Sequence, residues 1–499
     1  MSAVEMESVN FEYAAVPGAG VRDIDLTVEA GQIVVACGPS GSGKSTVTRI
    51  LNGLIPNFFE GSLSGRVRVG GLDVSSVSVT EVAQVTGSVF QDPRTQFFTG
   101  DTISELAFGP ENLGWDPARI QARIDALSAS LALSPLLGRG ILALSGGEQQ
   151  RLACAVASMP DPEVLLLDEP SSTLDSTAVG SLTETLREWK SEGKAILVAE
   201  HRLDYLADIA DQFVYFDRGR ITARYSRDEF LALGPARWEE LGLRSPLPSF
   251  MTPFRAPLGS GGARNGLRVH LGGARVRRGK RTVLDIADAT LPLDQPLAIV
   301  GANGSGKSTL ARWLAGLGGS KTGTMTIMRD DPASDTASKT TGTERTLRPR
   351  DRLNACYLVA QNTNNQLFSD TVLGEILLAN NARRPAEKLS EDDARGILTS
   401  LDLDQMASRH PLTLSGGEKQ RLVIAVALAS RRRIVILDEP TSGLDAIHMR
   451  QVAAGIRTLH DAGAAVIVIT HDVDLVELTC GCLVRLESGH IDIPSDIAL

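Results

Sequence analysis

Two short stretches of this sequence have the residue types and the spacing that phosphate chemistry requires. They are GPSGSGKST at 38–46 and GANGSGKST at 301–309, and both fit the pattern G-x4-G-K-[ST]. Glycines let the backbone curl so that its N–H groups point at phosphate oxygens, and a helix that starts near the lysine adds the positive end of its dipole. The lysine can bridge the β- and γ-phosphates, and the hydroxyl after it can ligate Mg²⁺. The nucleotide-binding residues predicted in these loops are Gly38, Ser40, Gly41, Gly43, Lys44, Ser45, Thr46, Gly301, Asn303, Gly304, Gly306, Lys307, Ser308 and Thr309.

An acidic pair and a histidine follow each loop at a repeated spacing. The pairs end the apolar runs VLLLDEP at 164–170 and IVILDEP at 434–440. Asp168 and Asp438 can hold Mg²⁺ through its water shell, and the glutamate after each can orient or deprotonate the attacking water. An acidic pair alone is weak evidence, but the upstream loop favours a catalytic role for Glu169 and Glu439. His201 and His471 each follow the glutamate by 32 residues, which favours a residue that senses the γ-phosphate.

A third passage is also duplicated, as LALSGGEQQRLACAV at 142–156 and LTLSGGEKQRLVIAV at 412–426. The pattern predicts that Ser145 caps a helix beginning around Gly147, with Glu148 completing a capping box. Gly146 and Gly147 leave room for a ligand at the backbone, so hydroxyl, free N–H groups and helix dipole together indicate an anion site. Each unit already has a phosphate loop, and this second anion site is therefore expected to serve the nucleotide of the other unit.

The elements that position these residues occur twice along the chain. Apolar strand-like runs precede every motif. The second copy lies 263 residues after the first at the phosphate loops, and 270 residues after it from Gln91 and Gln361 onward. We place the net insertion of seven residues in the polar segment 330–351, as a mobile surface loop. The segment 245–266 is rich in Pro, Gly and Ser, which is typical of a linker. The predicted domains are 1–244 and 267–499, each long enough for its own core.

Composition narrows the function classes. The net charge of −10 and the sequence pI of about 5.4 argue against a general attraction to nucleic acid. Five scattered cysteines are expected to be buried or inert thiols, and the close pair Cys480 and Cys482 is not expected to bind zinc. The N-terminus lacks signal-peptide features, and no apolar run reaches the roughly 18 residues that a membrane span requires. Any membrane function is therefore expected to need another chain.

With LSGGEQQR and LSGGEKQR the chain resembles the ATP-binding cassette (ABC) ATPases over nearly its whole length, twice. The resemblance implies an α/β fold of two tandem P-loop NTPase domains, each with a RecA-like core, a β-subdomain and an α-helical signature subdomain. It also implies ATP as substrate with Mg²⁺, and composite sites in which the signature of one cassette closes on ATP held by the other. One site would use Lys44, Ser45, Gln91, Asp168, Glu169 and His201 with Ser415, Gly417 and Glu418. The other would use Lys307, Ser308, Gln361, Asp438, Glu439 and His471 with Ser145, Gly147 and Glu148, and the metal ligands would be Ser45, Gln91, Asp168, Ser308, Gln361 and Asp438.

The family also places an aromatic residue on adenine, and here the two units differ. Tyr13 stands at that position in the first unit. The matching region of the second unit, 267–284, contains no Phe, Tyr or Trp, and Arg277 is the residue that can stack instead. The basic run 275–281 is expected to be a solvated rim.

Within the family, FQDPRTQFF at 90–98 and FGPENLG at 108–114 resemble the ATPases of energy-coupling factor (ECF) importers of vitamins and metal ions. QNTNNQLF at 361–368 is a looser version, and EHR at 200–202 also suits that group. The resemblance implies a peripheral protein on the cytoplasmic face of the membrane, docked beside each of Gln91 and Gln361 on a T-component, with a separate S-component choosing the substrate. Two alternatives stay open: a tandem ATPase of a sugar-type importer, and a ribosome-associated tandem ATPase acting in translation.

Overall fold

The computed structural model describes residues 2–247, 267–279, 281–318, 322–329, 345–380 and 388–492. The chain divides into two compact units. The first is Met1–Pro248 with Asp445–Ile447, and the second is Ser249–Leu444 with His448–Leu499. Both units contain a six-stranded sheet, a four-stranded sheet and surrounding helices.

The six-stranded sheet of each unit carries the residues that matter most for function. In the first unit the strand order is β10-β9-β3-β8-β7-β6, and only β10 runs antiparallel to its neighbour. The inner strands are almost entirely buried because helices cover one face of the sheet, and α1 (Lys44–Leu51) with the small sheet covers the other. This explains why these strands read as unbroken apolar runs. These strands are β3 (Ile33–Cys37), β6 (Thr86–Val89), β7 (Val164–Asp168), β8 (Ala195–Ala199), β9 (Gln212–Asp217) and β10 (Arg220–Ser226).

The second unit repeats this arrangement strand for strand. Its order is β16-β17-β18-β13-β19-β20, again with one antiparallel strand at the end. The strands are β13 (Leu297–Val300), β16 (Cys356–Val359), β17 (Ile434–Asp438), β18 (Ala465–Ile469), β19 (Cys482–Glu487) and β20 (His490–Asp492).

The smaller sheets are antiparallel and alternate buried with exposed residues, since one face packs on the core and the other meets solvent. The first has the order β2-β1-β4-β5 and the second β12-β11-β14-β15. Their strands are β1 (Ser2–Tyr13), β2 (Gly20–Glu29), β4 (Gly61–Val69), β5 (Leu72–Asp73), β11 (Leu267–Arg278), β12 (Arg281–Pro292), β14 (Thr324–Arg329) and β15 (Arg345–Leu347).

Helices complete both units, and many begin with the capping residues that their sequences predict. In the first unit they are α1 (Lys44–Leu51), α2 (Leu54–Asn57), α3 (Val79–Val85), α4 (Thr102–Asn112), α5 (Pro117–Ser130), α6 (Gly146–Ser158), α7 (Ser176–Ser191), α8 (Arg227–Ala232) and α9 (Gly234–Glu240). The remaining helices are α10 (Lys307–Leu314), α11 (Pro349–Ala355), α12 (Val372–Asn380), α13 (Glu391–Ser400), α14 (Gly416–Ser430), α15 (Ala446–Asp461) and α16 (Val473–Thr479). Within the described ranges, no helix has both the length and the apolar character needed to cross a bilayer.

The buried side chains of the first unit form three hydrophobic clusters. Two lie on the faces of the six-stranded sheet, and the third holds α4, α5 and α6 together as a helical subdomain. In the second unit one cluster covers one sheet face and its helices together, and another covers the opposite face and the small sheet. All five cysteines are free thiols and four are buried, as the composition predicts.

The prediction of an inserted surface loop at 330–351 is partly wrong. Residues 330–344 lie outside the described residues, but β15 and the start of α11 occupy most of the remainder. Leu347 is buried, and Pro349 stands at the first turn of α11, where its fixed φ suits a helix. The polar composition concealed these elements because only one apolar side chain anchors the strand. Of the predicted linker, residues 248–266 also lie outside the described residues.

Candidate functional site

The phosphate loop of each unit joins a buried strand to a helix, as predicted. It connects β3 to α1 in the first unit and β13 to α10 in the second, and both helices begin at the lysine of the motif. The three glycines of the first loop have φ values of 137°, 75° and 106°, and those of the second have 154°, 81° and 109°. Residues that carry a side chain rarely adopt φ values in this region, so the backbone path itself requires glycine.

Close approach of a neighbouring strand adds a second reason for the first glycine. A Cβ at Gly38 would lie 2.1 Å from the carbonyl oxygen of Phe216 on β9. The same atom at Gly301 would lie 2.2 Å from the carbonyl oxygen of Leu486 on β19. Both loops therefore rest against the strand next to the one that delivers them.

The side chain of each loop lysine folds back over its own loop. Lys44 donates to the carbonyl oxygens of Gly38 and Pro39, each at 2.8 Å. Lys307 makes the matching contacts with Gly301 at 2.6 Å and Ala302 at 3.1 Å. Burial lowers the pKa of Lys44, and the charge of Glu169 opposes this shift. An ammonium group thus sits inside the loop, where the β- and γ-phosphates are expected.

The acidic pairs lie at the carboxyl ends of β7 and β17, facing the loops. Ser45 Oγ donates to Asp168 Oδ1 at 2.9 Å, although the two residues are 123 positions apart. Burial raises the pKa of Asp168 to about 6, with the charge of Glu169 adding to the shift. Burial also raises the pKa of Asp438, which Ser308 opposes by hydrogen bonding. Hydroxyl and carboxylate oxygens are the ligands that Mg²⁺ prefers, so this donor set fits the predicted metal site.

Both glutamates have a backbone conformation that is rare for residues other than glycine. The φ values are 45° for Glu169 and 51° for Glu439. The N–H of each is held by the carbonyl oxygen at the end of the neighbouring strand, Ala199 or Ile469, at 2.8 Å. Backbone strain of this kind costs about 1–3 kcal/mol and clusters at functional sites. The sequence does not signal this conformation.

The predicted glutamine and histidine surround Glu169 in the first unit. Gln91 Nε2 donates to Glu169 Oε2 at 2.6 Å, and His201 Nε2 lies 3.3 Å from Glu169 Oε1. The same histidine nitrogen is 3.4 Å from Ser40 Oγ of the phosphate loop. In the second unit His471 approaches Glu439 through Nδ1, at 3.0 Å from Oε2. Gln361 follows β16 as Gln91 follows β6.

Sequence reasoning missed the residue immediately before each histidine. Glu200 is almost fully buried and accepts hydrogen bonds from neighbouring hydroxyl and amide groups. Thr470 occupies the same place in the second unit, and its hydroxyl donates to Glu439 Oε2 at 3.1 Å. The difference between Glu200 and Thr470 was visible in the sequence, but the different contacts that the two residues make were not.

The signature passages form the predicted capped helices. Ser145 accepts from the N–H of Glu148 at 3.3 Å while its own N–H donates to the Glu148 carboxylate at 2.7 Å, and Ser415 and Glu418 repeat both distances. The first helix, predicted to begin around Gly147, begins one residue earlier at Gly146, and the second begins at the matching residue Gly416. The pairing of each signature with the other unit's nucleotide stays a prediction.

The two glycines of each signature differ in what surrounds them. A Cβ at Gly147 would lie 2.8 Å from the Cβ of Ala178 on α7, and one at Gly417 would lie 2.2 Å from the ring of His448 on α15. The second glycine of each pair therefore allows helices to pack closely. At Gly416 a Cβ would meet nothing within 4 Å, and at Gly146 only a carbonyl oxygen at 3.9 Å. A side chain would therefore find open space at the first glycine of each pair but not at the second.

Tyr13, the predicted adenine contact, ends β1 beside the first phosphate loop. Its hydroxyl lies 3.2 Å from Thr46 Oγ1 and accepts from Arg49 at 3.3 Å. Phe11 and Phe59 meet its ring edge-on, with centroids at 4.8 and 6.2 Å. These contacts hold the ring in one orientation.

In the second unit the pairing of β11 with β12 shows which arginine matches Tyr13, and it is Arg278 rather than the predicted Arg277. Val276 pairs with Leu284 as Phe11 pairs with Val21, so Val276 has the position of Phe11. Arg278 is then the residue two positions further on, where Tyr13 lies in the first unit. Arg277 pairs with Thr282.

This combination of a glycine phosphate loop, a carboxylate at a strand end, and a capped signature helix defines a P-loop ATPase of the cassette type, present twice. A family model described as ABC transporter matches residues 21–172 and 284–442. The chain belongs to the ABC transporter family, as an ATPase with two fused cassettes.

Relatives and solved structures agree with this assignment. A Treponema denticola protein named as an ABC transporter ATP-binding protein is 35% identical over 98% of this chain and 96% of its own length. One from Streptomyces coelicolor with the same description is 32% identical over 98% and 93%. A solved structure described as RNase-L Inhibitor covers 97% of this chain and 90% of its own, with a TM-score of 0.60 and 23% identity, and shows the same fold.

Substituting alanine for Gly38 should be more damaging than the same change at Gly41. Both positions have positive φ, which strains any residue with a Cβ, and at Gly41 this strain costs about 1–2 kcal/mol. Only Gly38 adds the clash with the Phe216 carbonyl, since a Cβ at Gly41 meets nothing within 4 Å. We expect Gly38→Ala to melt at a lower temperature and to bind ATP at least about tenfold more weakly than Gly41→Ala, a difference of about 1.4 kcal/mol. Calorimetry and thermal melts measure both effects, and equal losses in the two variants would contradict this account of the loop.

Proposed function

We propose that this ATPase is the energy-supplying subunit of an importer of the energy-coupling factor type. Two ATP sites would power uptake of a vitamin or metal ion through separate membrane subunits, a T-component and an S-component. The protein would then work on the cytoplasmic face of the membrane. An exposed aromatic patch in the segment that follows Gln91, with exposed apolar residues at the matching positions of the second unit, is the observation that supports this most.

At each site we assign roles from the contacts within that unit. Lys44 and the N–H groups of its loop would bind the phosphates, and Ser45, Asp168 and the side-chain oxygen of Gln91 would hold Mg²⁺, which neutralises phosphate charge when it is bound. Glu169 would accept a proton from the attacking water while Gln91 holds one of its oxygens in place. His201, which lies near both Ser40 and Glu169, would sense the γ-phosphate. The second site uses the corresponding residues Lys307, Ser308, Asp438, Glu439 and His471.

Replacing both proposed bases tests the catalytic assignment. The double variant Glu169→Gln with Glu439→Gln should hydrolyse ATP roughly 10²- to 10⁴-fold more slowly, because the general base is lost, while ATP still binds. Phosphate release measures turnover, and equilibrium dialysis measures binding. Glu163→Gln, an exposed glutamate before the opposite end of β7, is the matched control. Turnover of the double variant within about threefold of wild type would reject the assignment.

The aromatic contact at the first site gives a separate prediction. If Tyr13 stacks on adenine, Tyr13→Ala should weaken ATP binding there by about 0.5–1.5 kcal/mol. Tyr13→Phe keeps the ring but loses the contacts with Thr46 and Arg49, so it should bind more tightly than the alanine variant. ATP affinity is measured in a Lys307→Ala background to isolate the first site. Wild-type affinity in Tyr13→Ala would argue against stacking.

The aromatic patch consists of Phe98 and Phe108, whose rings stack with centroids 5.1 Å apart and 15° between planes. The two side chains remain 75% and 37% exposed. Phe108 belongs to α4 and to the FGPENLG motif, and Phe98 ends the FQDPRTQFF motif after Gln91. Stacked rings in water indicate a surface that a partner covers.

A buried carboxylate holds this patch in place. The N–H groups of Phe98 and Thr99 donate to Glu105 Oε2 at 3.0 and 2.7 Å, and Glu105 is buried. The second unit repeats the arrangement, since Glu375 accepts from the N–H groups of Phe368 and Ser369. Phe368 and Leu378 there are 76% and 45% exposed. A surface that is exposed yet rigidly presented, twice, suits docking onto apolar segments of a membrane protein.

Removing the patch should therefore break the complex. We expect the double variant Phe98→Ser with Phe108→Ser to lose co-purification with a small multi-spanning membrane protein from detergent-solubilised membranes. Val16→Ser removes a side chain that is 57% exposed, on the turn between β1 and β2, and is the control that should retain the partner.

The same purification separates the alternatives. A T- and S-type pair in the complex supports the proposal, and the S-component identifies the substrate. A sugar-type permease in its place, or recovery of the chain with ribosomes and no membrane protein, would overturn it.

A further inference from the structure

The two ATP sites differ at one residue that neither the loops nor the acidic pairs reveal. Glu200 precedes His201 in the first unit, and Thr470 precedes His471 in the second. Glu200 is only 2% exposed. It therefore cannot act on solvent or on a partner, and its effect must pass through its neighbours.

Five donors converge on this carboxylate. The N–H groups of His201 and Arg202 donate to Oε1 at 2.7 and 3.1 Å. The hydroxyls of Ser171 and Tyr205 donate to Oε2 at 2.8 and 3.0 Å, and the Ser171 N–H approaches the same oxygen at 3.3 Å. The guanidinium of Arg202 turns instead to Asp204, at 3.1 Å.

These contacts join the two turns that carry the proposed catalytic pair. Ser171 belongs to the turn after β7, two residues beyond Glu169, and His201 begins the turn after β8. Glu200 holds one turn through Ser171 and the other through backbone N–H groups. It thereby sets the spacing between Glu169 and His201, which approach to 3.3 Å.

The second unit makes the corresponding connection differently. Thr441 stands in the place of Ser171, and its hydroxyl donates to Asp472 Oδ2 at 2.6 Å. Thr470 accepts from the N–H of Asp472 at 3.0 Å. Its own hydroxyl donates to Glu439, so the residue before the histidine contacts the proposed base directly.

The fold itself does not require a carboxylate at this position, because the second unit has the same strand order with threonine there. Burial raises the pKa of Glu200, and the nearby charge of Glu169 raises it further, so the ionised group is costly to keep. Hydrogen bonds to hydroxyls and amides offset part of that cost. Because the fold forms without this buried carboxylate in the second unit, its presence in the first unit points to a role in the reaction.

We propose that Glu200 is a positioning residue for hydrolysis at the site built on Lys44, and that the hydroxyl of Thr470 takes this role at the site built on Lys307, so that the two sites depend on different groups for positioning. This inference rests on the catalytic roles proposed above for Glu169 and His201. It does not depend on the transported substrate or on the membrane partner.

The test follows hydrolysis at each site separately in the full chain. An azido-ATP analogue is photocrosslinked with and without vanadate, which retains the product of hydrolysis, and labelled peptides are assigned by mass spectrometry. Glu200→Gln removes the charge that links the two turns, and Tyr205→Phe removes one of the donors that hold this carboxylate in place. Vanadate-dependent label near Lys44 should fall about threefold to tenfold, on the scale of one ordinary hydrogen bond.

Two further readouts and two further variants distinguish positioning from a loss of structure. Label near Lys307 should stay within about twofold of wild type on the same scale, and so should label near Lys44 without vanadate, which reports binding. Tyr215→Phe removes a comparable hydroxyl, one that donates to the Leu241 carbonyl at 2.7 Å, and should leave both sites unchanged. Thr470→Val should lower vanadate-dependent label near Lys307 only.

Equal loss at both sites in Glu200→Gln and Tyr205→Phe, or an unchanged label near Lys44, would overturn the inference. Glu169→Gln in the same assay keeps this result separate from the catalytic assignment. If that variant still gives full vanadate-dependent label near Lys44, the role of Glu169 itself is wrong. If it does not, and Glu200→Gln behaves as wild type, only the positioning role fails.

Discussion

The parallel alignment of three neighbouring strands is the constraint on which the rest of this structure depends. β3, β8 and β7 lie side by side, so their carboxyl ends open at the same edge of the sheet. The chain leaves that edge through the phosphate loop, through His201 and through the acidic pair. Residues more than 120 positions apart in sequence, such as Ser45 and Asp168, therefore meet at hydrogen-bond distance. β13, β18 and β17 impose the same convergence on the second unit.

Each site combines unfavourable features that the surrounding fold must support. A lysine is buried in its own loop, an aspartate is buried beside a second carboxylate, and a glutamate has a left-handed backbone. None of these would persist on a flexible segment, because each can relax by moving a few ångströms. They persist here because buried strands fix both ends of every functional turn. Part of the stability of the core thus maintains charge and strain where phosphate is expected to bind.

Duplication preserved the convergence but not every contact around it. The loops, acidic pairs and capping boxes repeat with nearly the same geometry. The support behind the histidine changes from a buried carboxylate in one unit to a hydroxyl in the other, and the aromatic residue beside the first loop has no aromatic equivalent. The differences lie in residues that surround the proposed catalytic groups, whereas the similarities lie in the groups themselves. Two cassettes of one chain can therefore share a reaction and still carry it out under different control.

The sequence by itself determined the motifs whose geometry is local. Glycine positions in the loops, the helix starts at Lys44 and Lys307, and the capping boxes at Ser145 and Ser415 all depend on backbone preferences within a few residues. The family assignment followed from the same short patterns, because their combination and repetition are specific. These predictions are confirmed without any knowledge of what packs against what.

Only the tertiary structure decided the contacts between distant segments. The sequence does not show that Gly147 packs against α7, or that Gly38 lies against β9. It hid β15 in a polar stretch, and it offered Glu200 as a charged residue without showing that five donors surround it. Such features arise from strand order and side-chain packing across the sheet. A local pattern cannot encode them, because the partner of each group lies in another part of the chain.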